Sequence, residues 1–546
     1  MKQLCILLLV LASFGGHAQS AWTFVLPVLE LNGAMAVATG PDGSAYLTGR
    51  FTGSLALGGT TLTSARPGPC LFIAKMSPAG QVLRVTKLEG ATEVLPYALT
   101  VDNDGNCYVT GRFQGTLTYN GGQQTTAQLT QPGGYNILLV KCGPNGAVRW
   151  VQQANGSTGS PYGDSYGAAV VVDKRGNSYI AGSATGADIR FGAISCGGHR
   201  NQGFLASYNR QGQVRWAKVL GGGGTSPASS VAVDDAGHCY LSGVCDRGWT
   251  LEGITVLNPG GSYLVQLDSR QGQPLWAKSI IGATSNALGV DRQGDVYLGG
   301  AFSGTVDFAG TVLTSAGDAD GYVARYDPNG DQDWATALGG PNYDVVNGLA
   351  VNQKSRKVFV TGMMNFTPAG TNQTFLANLN ANGRVRRTEL VDGPGTSSSG
   401  KLAIDNDNNM YSTGVFTGSC TFGTLARSSS TTQGYLARYG SCLHDRGAGN
   451  DDDNIFHKPA LNLFPNPAQN QLTLQLTDQV SDQVSDQVSA GQATLYNHQG
   501  TPVATHSIQP TSANIHFDTS ALPDGLYVLR VEAQGKTTTQ LVTVQH

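Results

Sequence analysis

The chain has 546 residues, with 34 Lys and Arg against 37 Asp and Glu, a formal net charge of −3, and 13% charged residues where soluble domains average about a quarter. That balance offers no basic face, which excludes nucleic acid as an expected partner. Glycine, at 74 residues, is about twice its usual share, and runs of Ala, Glu, Leu and Lys are nearly absent, so an all-β fold with many turns is expected.

Residues 1–18 read as a signal peptide: Lys2 gives the positive start, Leu4 to Phe14 the apolar stretch, and Gly16, His17 and Ala18 the cut, with cleavage after Ser20 as the alternative. The apolar run is too short to span a bilayer comfortably. No later segment is apolar enough, so no transmembrane segment is expected. Cys5 lies inside the run and not at the cut, which argues against a lipid anchor.

Residues 19–442 are organised by a repeat, apolar-Asp-x-x-Gly-x-x-Tyr-x-x-Gly. Its clearest copies are Asp102/Gly105/Tyr108/Gly111, Asp173/Gly176/Tyr179/Gly182, Asp234/Gly237/Tyr240/Gly243 and Asp291/Gly294/Tyr297/Gly300. Weaker copies end at Gly49, Gly362 and Gly414, giving seven anchors with a mean spacing of about 61 residues. A second signature, Gly and four residues later Trp or Arg, follows six of them: Gly80/Arg84, Gly146/Trp150, Gly212/Trp216, Gly272/Trp276, Gly330/Trp334 and Gly383/Arg387.

Each unit holds four strand-like runs, and the first is apolar and small, as in Ala168 to Val172. Four antiparallel strands repeated radially make a propeller blade, so a seven-bladed β-propeller is expected. The last repeat lacks its Trp strand. Ala21 to Val25 stands at the right distance before the first anchor to supply it, with Trp22 in the Trp position, and such closure hides two open sheet edges. The block and the Trp-ending strand resemble the bacterial β-propeller family of SBBP repeats over residues 20–442. Repeat six departs from it, with Asn352 for Asp and one extra residue, and repeat one has Gly40 at the Asp position. The resemblance implies an architecture and no single activity.

Turn lengths are nearly constant on one face of such a ring and vary on the other. Variable loops on a rigid scaffold are where function sits, so the variable face is the expected ligand face. Its longest interblade loop carries Tyr162, Asp164 and Tyr166, and the counterpart between blades five and six carries Tyr343 and Asp344. Trp249, outside the repeat position, completes the candidate ligand-binding set. The repeat Asp residues are expected to cap their own turns. No cofactor or metal is expected; Asp102 to Asn106 and Asp405 to Asp407 are the oxygen-rich loops in which calcium would sit, without EF-hand spacing. No His-Glu-x-x-His, nucleophile elbow or P-loop is present, and glutamate is scarce. Carboxylates that meet in space would leave no sequence trace. Eight cysteines follow Cys5; spacing selects no pairs among them, and buried thiols are expected.

Residues 443–459 form an acidic linker with Asp451, Asp452 and Asp453. Residues 460–546 alternate apolar and polar residues between Pro, Asn and Asp-Gly turns, which predicts a small Ig-like β-sandwich. Phe464-Pro465-Asn466-Pro467, Leu495 to Gly500 and Leu522 to Arg530 resemble the type A C-terminal sorting domain of type IX secretion substrates. The resemblance implies the type IX secretion machinery as a partner of residues 460–546, and a secreted or outer-surface address. The expectation is a non-catalytic binding or adhesion protein for an extracellular glycan or protein. An extracellular polysaccharide-active enzyme and a structural surface component are the alternatives.

Overall fold

Alternating apolar residues and frequent turn glycines favour short antiparallel strands over helices, and the computed structural model of the protein is built from them. It describes residues 22–28, 36–120, 126–155, 165–198, 201–256, 260–340, 342–364, 372–440, 462–464, 468–475, 491–497, 501–508, 514–533 and 536–546, and among these every regular element is a strand.

Tyr166–Val172, Ser178–Ala184, Gln202–Tyr208 and Val214–Val219 pair in that order, each antiparallel to the next. Ala228–Val233, His238–Cys245, Gly261–Asp268 and Pro274–Ile281 do the same, as do Ala283–Val290, Val296–Phe302, Asp320–Tyr326 and Gln332–Leu338. Val345–Val351, Val358–Met364, Gln373–Leu379 and Val385–Asp392 follow. Earlier, the long strand Val82–Val101 ends the unit of Ala36–Thr39, Ala45–Thr52 and Pro69–Met76. It then opens the unit of Cys107–Asn120, Thr126–Cys142 and Val148–Asn155. The last unit runs Thr396–Ile404, Met410–Phe422 and Leu425–Tyr439, and its outer strand is Trp22–Val28. The inner strands pack side by side in chain order, and Thr396–Ile404 packs on Ala36–Thr39. The result is a β-propeller.

The repeat block has a local cause. In Asp102, Asp173, Asp291 and Asp405, Oδ1 accepts the backbone N–H two and four residues on, at 2.8–3.0 Å. Oδ2 accepts the hydroxyl six residues on, for example from Tyr108 at 3.1 Å and Tyr179 at 3.0 Å. The Asp-to-Tyr spacing is therefore one buried hydrogen-bonded unit that ties a turn to the core. These carboxylates are occupied by their own turns.

The second signature joins neighbouring blades. Trp150, Trp216, Trp276 and Trp334 donate Nε1–H to the carbonyls of Arg210, Ser269, Pro328 and Ala381, at 3.0–3.1 Å, in the following unit. Each indole lies against that unit's turn glycine. A Cβ on Gly212, Gly272, Gly330 or Gly383 would meet the ring at 2.5–3.1 Å. The closing strand takes part, but not through Trp22. Trp22 pairs with Tyr439 and Phe24 with Arg438, whereas in a complete blade Trp216 pairs with Ser207 and Val214 with Tyr208. Phe24 thus holds the Trp position, and its ring would lie 3.3 Å from a Cβ on Gly80. The expected residue was two positions early: complete blades carry the same bulge, as between Val214 and Trp216, and the distance from the Trp position to the next anchor varies between repeats, so counting does not set the register.

A further strap comes from the hairpins after the second strands. Ile189–Phe191 pairs with the previous unit's outer strand at Ala154 and Asn155, and Thr250 exchanges backbone hydrogen bonds with Gly221. Repeat six adds an ionic tie. Its extra residue, Arg356, adopts a φ of 57° and reaches Asp291 and Asp295 of the previous unit.

The C-terminal segment forms two antiparallel sheets. One contains Asn462–Phe464, Gln471–Gln475 and Asn514–Asp518; the other contains Pro502–Ile508, Gly491–Tyr496, Gly525–Ala533 and Lys536–Val544. Leu472, Leu474, Leu495, Phe517, Leu529 and Val542 fill the core between them, which makes a small sandwich.

The anchor glycines are sterically required. A Cβ on Gly300 would lie 1.8 Å from the Thr284 carbonyl oxygen. Gly300→Ala should cost about 3 kcal/mol in urea unfolding. Gly197→Ala, whose Cβ meets nothing within 4 Å, should stay within about 0.5 kcal/mol of the parent.

Candidate functional site: the mouth of the central channel

The same glycines generate the site. Each faces an inner strand whose register slips by one residue: between Pro96 and Ala98, Gly167 and Ala169, Ala228 and Ser230, Ser285 and Ala287, Val346 and Gly348, and Ser399 and Leu402. A bulge leaves its extra residue unpaired and re-aims it. The extra residues are Tyr97, Ala168, Ser229, Asn286 and Asn347, with Gly400 and Lys401 in the last unit. All of them line one cavity of about 580 Å³, drawn from consecutive inner strands and hence on the ring axis. In four of the six inner strands the bulge lies in the first half, toward the end of the ring that carries the variable connections.

Hydrogen bonds between blades hold several of these side chains. Ser229 Oγ donates to Ser285 O at 2.7 Å, Asn286 Nδ2 to Val346 O at 3.2 Å, and Asn347 Nδ2 to Ser399 O at 3.0 Å. Each reaches the next inner strand. The Oδ1 atoms of both asparagines keep their acceptor capacity, with no partner among the described residues. On another arc Tyr97 and Tyr166 lean together, ring centroids 5.5 Å apart and planes inclined by 57°. Lys401 supplies the one charged side chain among the described lining residues. Burial holds its ammonium pKa below that of a free lysine. No Asp, Glu, His or Cys lines the cavity among the described residues.

Of the six sequence candidates, the structure brings Tyr166 to this cavity. Tyr162 and Asp164 lie outside the described residues. Tyr343 is 49% exposed on the surface. Asp344 is fully buried and accepts the Gly340 N–H, while its own N–H bonds Ala319 O at 2.7 Å, so it caps a loop. Trp249 must be reassigned. It is 2% exposed, meets Tyr263 edge-on at 5.4 Å and opens the strapping hairpin Trp249–Leu251 and Ile254–Val256. Hydrophobic burial between blades claims it. Tyr97, Ser229, Asn286, Asn347 and Lys401 of the lining were not among the candidates, although a signal existed: Tyr97, Ala168, Ser229, Asn286, Asn347 and Gly400 each stand five positions before the repeat Asp or Asn, and Lys401 follows Gly400.

Near the same end of the ring, Asp320 is 3% exposed, and burial pushes its carboxyl up to about 6. Oδ2 accepts the Ala316 N–H at 3.1 Å, while Oδ1 has no partner among the described residues. A raised folded-state pKa means that the folded chain binds the proton more tightly. Its stability contribution is complete below about pH 4 and is lost as pH rises to about 6, a change of at most about 3 kcal/mol. Asp320→Asn should remove that portion of the pH dependence, so that its stability advantage over the parent grows between pH 4 and 6; urea titrations across this range measure it.

Comparison with known proteins adds the following. Residues 149–190 match the SBBP β-propeller repeat, and residues 462–545 match the secretion system C-terminal sorting domain. An uncharacterised WD repeat-containing protein, L264 of Acanthamoeba polyphaga mimivirus, is 21% identical over 438 residues; the match covers 63% of this chain and about a third (31%) of that protein. Among solved structures, virginiamycin B lyase from Staphylococcus aureus is 10% identical with a TM-score of 0.35, covering 76% of this chain and 99% of that one. The Dos1 propeller is 9% identical with a TM-score of 0.39, covering 77% and 96%. The chain is therefore a β-propeller protein that carries an SBBP repeat and ends in a type IX secretion sorting domain, which directs it to the cell surface or the extracellular space.

Proposed function

We propose that this is a seven-bladed, non-catalytic binding protein of the cell exterior, which holds its ligand at the channel mouth. One observation carries the reading. Six inner strands place a bulge at the same station, and the residues released there differ: Tyr97, Ala168, Ser229, Asn286, Asn347, and Gly400 with Lys401. A conserved scaffold position that delivers varied side chains to one concavity suits recognition. The concavity lies within the range of small-ligand sites. Hydrolysis of a polysaccharide would call on a pair of carboxyl groups flanking the scissile bond, and the lining supplies none among the described residues.

The sorting domain engages the secretion machinery; the propeller is the part delivered. An Asn286→Ala/Asn347→Ala double variant leaves the anchor glycines and bulge backbones in place. On an array of surface glycans and peptides, the purified protein should retain ligands that the double variant binds at least about tenfold more weakly. Unchanged binding by the variant, or an array with no ligand at all, would sink the reading.

A further inference from the structure

We propose that the channel mouth takes a carboxylate-bearing saccharide, a uronic-acid glycan, with its acid group held by Lys401. This rests on the reading of the mouth as the ligand site. Among the described residues the Lys401 side chain has no ion-pair partner, and no carboxylate lines the cavity. The lowered pKa noted above is the cost of holding an ammonium among partly dehydrated neighbours. A ligand carboxylate supplies the missing countercharge, and a neutral ligand leaves it missing. A saccharide is favoured over a bare anion by the rest of the wall. Tyr97 and Tyr166 offer inclined apolar faces to a sugar ring. The free Oδ1 atoms of Asn286 and Asn347 accept hydroxyl donors.

The test is calorimetric titration of the full exported protein with digalacturonic acid and with its neutral counterpart, galactobiose. The acid should bind at least about tenfold more tightly, and the preference should weaken with added salt. Lys401→Met should erase the preference and Lys401→Arg should retain most of it. Equal affinity for the two sugars, or a preference untouched by Lys401→Met, overturns the proposal. In those cases binding that Tyr97→Ala still weakens leaves the mouth as the ligand site, and binding indifferent to Tyr97→Ala removes that reading too. Absence of binding by both sugars also overturns the proposal.

A different observation carries a second inference. Cys107 and Cys142 face one another directly across two strands, both at or below 3% exposure. A hydrogen bond between the two thiols, together with burial, raises the Cys142 thiol pKa. Directly opposed residues have Cβ atoms about 4.5–5.5 Å apart, close to the about 3.5–4.5 Å of a disulfide. The geometry points to a Cys107–Cys142 disulfide in the exported protein. Two thiols lose two protons and two electrons as the S–S bond forms, and a cell-envelope disulfide oxidoreductase accepts them, its own disulfide becoming a dithiol. Protein collected outside the cell, alkylated under denaturing conditions without reductant and digested, should yield one cross-linked peptide pair spanning both positions. Recovery of both cysteines as alkylated free thiols overturns this inference.

Discussion

The structure depends on a close approach: an anchor glycine on the second strand of a blade, with the carbonyl of a bulged inner strand where its side chain would be. The approach recurs at Gly111, Gly182, Gly243, Gly300, Gly362 and Gly414, where an added Cβ would lie 1.8–2.2 Å from the carbonyl oxygen. Without the glycine the bulge has no room. Without the bulge the extra residue returns to the ladder and the channel mouth loses its side chains. One steric requirement therefore shapes both the wall of the ring and the surface it presents to ligand.

Around that wall, cohesion comes from contacts that each blade makes with the next. An indole on the outer strand covers the neighbour's turn glycine and donates to its carbonyl, and a hairpin straps back onto the preceding outer strand. Where the sequence departs from the pattern, a different interaction fills the place. Arg84 packs its aliphatic stem against Gly146 in the position of a Trp. Phe24 covers Gly80, and Arg356 spans to Asp291 and Asp295. The repeat preserves a geometry of contact more strictly than it preserves residue types.

That distinction explains what could be read from the residues in advance. Strand order within a repeat was legible because the Asp–Tyr hydrogen bond and the Trp–Gly contact both impose fixed spacing. The outer position of the N-terminal strand followed from counting. Its register did not, because the distance from the Trp position to the next anchor varies from repeat to repeat, and Trp22 and Phe24 both fall within that range. The candidate site was less legible for a related reason. Loops and unusual aromatics attract attention, yet Trp249 is spent on packing between blades and Asp344 on a loop cap. The side chains at the mouth come from regular strands. Only strand pairing reveals that the residue five before each Asp is the unpaired one.

The closing strand also sets an order of events. Thr23 and Arg438, joined by a hydrogen bond, are 415 positions apart in the chain. Loop closure over such a span is entropically costly and late. In a chain delivered from its N-terminus, strand 22–28 emerges first and finds its partner only after residues 425–439 have followed. Until then two sheet edges stand open, at opposite ends of an incomplete ring. Ring closure and the arrival of the C-terminal segment are thus nearly coincident, and the propeller completes itself at about the moment its export address becomes available.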